Sequence, residues 1–158
     1  MWLRRILRNS KGAAAVEAAF IFPILIYILI GVVQFGMIYN STLVADEAAR
    51  EIARNFAIMG GENEAVASHI IESYFGSGDD VLYGGYVSDN IVFNEESIEI
   101  TEIGNQEMTR YDVEITYYCP IILPGADRLV GSGETFAGMI GTFEVNGAAS
   151  FNKEAVDW

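Results

Sequence analysis

The 158-residue chain has one cysteine, one histidine, three prolines, and only nine Lys or Arg against 22 Asp or Glu, and each scarcity excludes something. A lone cysteine, Cys119, forms no internal disulfide, so the fold must stand on packing, and the redox compartment stays open. Within TYYCPII that thiol has only His69 anywhere in the chain as an imidazole partner, which favours a small buried hydrophobe over a nucleophile. The same shortage of His and Cys argues against a zinc site and leaves His69 as a surface residue. Catalytic signatures are missing too: there is no G-x-S-x-G elbow, no phosphate-binding P-loop and no H-E-x-x-H. The acidic stretch GSGDD, with Asp79, Asp80 and Asp89, lacks the regular ligand spacing of a calcium loop and reads as a solvated acidic loop. We therefore expect no enzyme, no cofactor and no metal.

Charge is unevenly placed. Arg4, Arg5, Arg8 and Lys11 precede residue 13, where there is no Asp or Glu; setting those four aside leaves five basic residues against all 22 acidic ones. Phosphate binding needs clustered Lys and Arg, so nucleic acid is not a partner of the acidic remainder, which reads as a soluble surface.

The basic leader is followed by an apolar segment from Ala13 to Val33, interrupted by Glu17, Pro23 and Gly31. About 20 such residues span a hydrocarbon core of roughly 30 Å, so a transmembrane helix is expected, with membrane lipid as its surroundings. The positive-inside rule keeps the leader cytoplasmic and puts everything after Val33 on the far side. A cleaved secretory signal competes with this reading. The run is longer than an ordinary signal core, however, and LVA before Asp46 is a poor signal-peptidase site.

Glu17 is the anomaly, because a carboxylate in a membrane helix costs about 2.5 to 3.5 kcal/mol on insertion scales unless it is paired. A cut after Gly12 would supply the partner. It would make Ala13 a new N-terminus and Glu17 the fifth residue, placing an ammonium and a carboxylate about one helical turn apart. Without such a cut, Glu17 is an interfacial carboxylate reaching the headgroups.

At this point KGAAAVEAAFIFPILIYILIGVVQFGMIYN resembles the N-terminus of TadE-like pseudopilins of tight-adherence (Flp) pilus systems. The stretch ADEAAREIARNFA at 45–57 is similar to the A-x-x-A-A-R-x-x-A-R helix that follows in that family. The resemblance implies a prepilin peptidase cutting between Gly12 and Ala13, and a Glu17 that pairs with the N-terminal amine of a neighbouring subunit. It also implies that Glu17, Phe20 and Pro23 belong to the assembling helix, Pro23 through its effect on helix shape. The implied partners are that peptidase, other pilin or pseudopilin subunits and an inner-membrane assembly platform.

Helical periodicity continues past the membrane through Leu43, Ala45, Ala48, Ala49, Ile52, Ala53, Phe56 and Ala57, predicting one helix from Ala13 to Met59, roughly 70 Å long. Spacing also predicts ion pairs such as Glu47 with Arg50 and Glu51 with Arg54 along it. Gly60 and Gly61 end the helix. A short amphipathic helix follows in ENEAVASHIIESYFG, with Val66, Ile70, Ile71, Tyr74 and Phe75 on one side, and then a Gly-rich loop over 76–90.

Beyond the loop the period changes to two. SIEITEI, RYDVEITYYC and GTFEVNGAASF are expected as half-buried strands, with a turn at 104–106 and an excursion through Pro120 and Pro124. The expected fold is α+β and pilin-like: a leader over 1–12, a transmembrane and stalk helix over 13–59, and a head over 60–158. In that head a small antiparallel sheet packs on the stalk with Tyr111, Val113, Ile115, Phe143, Val145 and Phe151 as core. The function this implies is a minor pseudopilin in the bacterial inner membrane. The alternative is an uncleaved, single-pass anchored protein whose head binds a ligand.

Overall fold

The computed structural model describes residues 10–76, 85–89, 91–100, 106–122, 135–136 and 140–153. Helix α1 (Ser10–Met59) is unbroken for 50 residues and carries Pro23 inside it. It ends where expected: Gly60 adopts φ 74°, a left-handed conformation that suits glycine, and the Gly60 and Gly61 amides both donate to the Phe56 carbonyl at 2.8 and 3.3 Å. Helix α2 (Glu64–Phe75) starts at Asn63, whose side-chain oxygen accepts from the amides of Ala65 and Val66, closing two of the donors that a helix start leaves open. Its apolar side turns inward as the pattern predicts, with Ile70 and Phe75 buried and Val66, Ile71 and Tyr74 partly so.

The head is an antiparallel sheet of β1 (Tyr86–Val87), β2 (Val92–Ile100), β3 (Gln106–Pro120), β4 (Thr135–Phe136) and β5 (Ile140–Lys153). β3 is the centre: β1 and β2 share one of its edges and β5 pairs along the other, with β4 touching only the start of β5. The α+β expectation holds. β2 starts earlier than SIEITEI, and a short strand appears inside the expected loop, where Tyr86 stacks on Tyr118 at 4.8 Å between ring centres and so fixes the β1 to β3 pairing. Of the turn expected at 104–106, Gln106 is already in β3, opposite Ile100; residues 104 and 105 lie outside the described residues, as do Pro124, Asp79 and Asp80.

Alternation along β3 comes out as predicted. Tyr111, Val113, Ile115, Tyr117 and Cys119 are buried against α1, while Asp112, Glu114, Thr116 and Tyr118 take the other side. Across the interface, α1 presents Ala45, Ala48, Ala49, Ile52, Ala53 and Phe56, all at most 1 % exposed. Phe56 meets Phe93 and Tyr111 edge-on, and Phe75 stacks on Tyr117. Two core expectations need correction. Phe151 lies opposite Tyr111 and so on the inner face, yet it is 39 % exposed; Tyr111 has a strand on either side, whereas Phe151 is near the far end of β5, beyond the part that pairs with β4, and has only β3 beside it. Leu43 is exposed as well, because the buried stripe of α1 continues toward the N-terminus through the polar residues Ser41 and Gln34.

The predicted helix ion pairs do not form; among the described residues the one ion pair is Arg110 with Asp112, at 2.8 Å on the outer side of β3. Glu51 instead accepts a hydrogen bond at 2.9 Å from the Tyr74 hydroxyl of α2. That bond to a carboxylate is the main reason the hydroxyl titrates above the ordinary tyrosine range, and partial burial adds to it.

Small side chains on α1 let the sheet approach until backbone meets backbone. At Gly147 on β5 there is no room for a side chain, since a Cβ would overlap the Ala45 carbonyl and lie 2.6 Å from the Asp46 nitrogen. Gly147→Ala should therefore destabilise the head by about 1–3 kcal/mol, the usual cost of overpacking. Gly61→Ala, with nothing within 4 Å, should leave the urea unfolding midpoint nearly unchanged. Equal midpoints for the two variants would refute the close approach.

Candidate assembly helix and its seat on the head

The residues singled out by the sequence all lie on α1, in its N-terminal half. Ala13, Glu17 and Phe20 follow one another at spacings of four and three, which puts them on one stripe of the helix surface. Ala13 and Glu17 are exposed and Phe20 is 73 % exposed; Pro23 lies further along, also exposed. Gly12 is half-buried. The small side chains of Ala14 and Ala18 leave a shallow depression beside Glu17, flanked by Ile21, Phe22 and Leu25. Its floor is apolar and Glu17 is the carboxylate at its edge. Among the described residues no basic side chain pairs with Glu17.

The apolar side chains of this half of α1 are largely exposed. Phe22, Ile24, Leu25, Ile26, Ile28, Leu29 and Val32 are each more than half exposed, and the helix is long and apolar enough to cross a membrane. Bare apolar surface on this scale marks a membrane or protein contact.

The head takes hold of the helix at Gln34. This side chain is 7 % exposed, and its amide bonds like a short piece of strand: Nε2 donates to the Pro120 carbonyl at 3.0 Å and Oε1 accepts from the Ile122 amide at 2.6 Å. Two turns on, Ser41 is fully buried and returns its hydroxyl proton to the Met37 carbonyl at 2.9 Å, so a polar group sits in the core at little cost. Cys119 packs there with no exposed surface. Burial pushes its thiol above the usual range, with a hydrogen bond to Ser41 pulling partly back, which is the electrostatics of an inert thiol. Gln34 was not anticipated from the sequence. The available signal was its position, as the first strongly polar side chain after the apolar run.

Elsewhere in the head, among the described residues, no group of three or more His, Cys, Asp or Glu gathers where it could hold a metal. His69 and Asp89 are exposed.

Gln34→Leu would keep the volume and orphan a carbonyl and an amide. A loss of about 1–3 kcal/mol is expected in urea unfolding, together with faster alkylation of Cys119, which in the native chain should resist thiol reagents at neutral pH until denaturant is added. A Gln34→Leu chain as stable and as unreactive as the native one would show that these two bonds do not hold the head.

No curated protein and no solved structure matches the chain. Residues 12–54, all within α1, match the family model described as TadE-like protein, so the likeness lies in this helix and leaves the head outside it.

Proposed function

We propose that the chain is a minor pseudopilin, or pilus assembly protein, of a tight-adherence pilus system. It is held in the bacterial cytoplasmic membrane by the N-terminal half of α1, with the head on the outer side, and is cleaved between Gly12 and Ala13 by a prepilin peptidase. The observation that carries this reading is the bare, TadE-like half of α1 bearing an exposed carboxylate at Glu17, joined without a break to a folded head.

Cleavage leaves an α-ammonium on Ala13 and a carboxylate four residues on. Two charges that are each costly in hydrocarbon become far less so as a pair, whether within one chain or between neighbours. Pairing between neighbours gives lateral packing a register that apolar side chains alone lack, and the depression over Ala14 and Ala18 lets another helix come close. Phe20 extends the same stripe. The head carries no catalytic assignment in this reading; its role is to project an acidic surface beyond the membrane.

The test begins with the N-terminus of membrane-extracted protein, measured by intact mass with and without a co-expressed prepilin peptidase. A peptidase-dependent chain beginning at Ala13 is expected. A chain still beginning at Met1 beside an active peptidase would point to an anchored binding protein instead. Glu17→Ala should abolish pilus assembly while membrane insertion is retained, and normal piliation in that variant would rule out the pairing mechanism.

A further inference from the structure

The Pro120–Ile122 segment is hydrogen-bonded to α1 at Gln34, directly after the apolar run, and its level is set by that side chain. From Gly12 to Gln34 the helix rises about 33 Å at 1.5 Å per residue, close to the roughly 30 Å of a hydrocarbon core. Gln34 and the backbone it holds are therefore level with the outer edge of that core. Apolar surface is bare at this level and just above it: Ile122 is 49 % exposed, Phe35 73 % and Tyr39 60 %. Phe35 and Tyr39 stand one helical turn apart, and tyrosine favours such an interface because its ring is apolar and its hydroxyl polar.

The hydrogen bonding points the same way. Irregular backbone at the depth of the apolar boundary needs its amides and carbonyls satisfied from within the protein. Where β3 runs out at Pro120, the Ile121 amide still donates to the Gly141 carbonyl of β5, and one buried Gln side chain supplies the donor for the Pro120 carbonyl and the acceptor for the Ile122 amide.

We propose that Pro120–Ile122 rests on the outer leaflet of the bilayer, with Ile122 entering the apolar edge of the headgroup region beside Phe35. The occupant of this surface is lipid, continuous with the lipid around α1. The inference rests on the reading of α1 as a membrane helix and adds a second point of contact, from the head. Two points fix the head's height and tilt, where one helix alone would leave tilt free.

The test uses the full chain in lipid nanodiscs holding one copy each, with an environment-sensitive fluorophore on Ile122→Cys, on Ile24→Cys in the middle of the apolar run, and on Glu96→Cys, an exposed site on β2. Buried Cys119 stays in place, and the unsubstituted chain provides the labelling blank. The expected result is blue-shifted emission at 122 that is lost when the lipids carry bromine near the headgroup end of their chains, with no such loss at 96. If 24 is quenched by lipids brominated near the methyl ends of their chains while 122 behaves like 96, the head does not touch lipid and the proposal falls with the membrane helix intact. If 24 is not quenched by those lipids either, the membrane reading fails and this contact fails with it.

Discussion

The head depends on one steric condition, that α1 and the sheet touch through their backbones. Ala45, Ala48, Ala49 and Ala53 make the helix face nearly smooth, and Gly147 removes the one side chain that would hold β5 away. Bulkier groups are displaced to the end of this seam, where Phe56, Phe93 and Tyr111 close it. An alanine face buries little apolar area per residue, so its contribution lies in proximity: it places the sheet where the larger side chains of β3 can cover it.

That seam gives α1 two different surfaces along one rod. Its C-terminal half is buried on one side by the head, whereas the apolar side chains of its N-terminal half are largely exposed. The change occurs near Gln34, where a polar side chain takes over from the apolar run and engages the head instead of water. Whatever contact the bare half makes and the folding of the covered half are therefore separate, and a substitution can affect one without the other. The match to the TadE-like family model spans both, since residues 12–54 include the bare apolar segment and all four alanines of the seam.

Much of this was legible in the chain because its causes are local. The spacing of 45, 48, 49, 52, 53 and 56 is the spacing of a helix face, and the alternation of Tyr111, Val113, Ile115 and Tyr117 is that of a strand with one side buried. What escaped depends on partners distant in sequence. Gln34 meets residues more than eighty positions away, and nothing beside it announces them. Glu51 was matched to cations on its own helix, yet its partner is Tyr74 of the next one. Phe151 has the right parity for the core, but parity does not say whether a strand has a neighbour on both sides. The Glu17 stripe is legible as an anomaly, a carboxylate inside an apolar run.

The continuity of α1 has a mechanical consequence. Between Pro23 and the seam at Ala45 there is no loop or glycine-rich joint to absorb a displacement; the helix runs unbroken into the head. Each residue by which the anchor is drawn outward should lift the sheet by about 1.5 Å and, if the helix screws along its own groove, turn it by about 100°. A machine that grips only the membrane end would therefore steer the head as a key turns its bit.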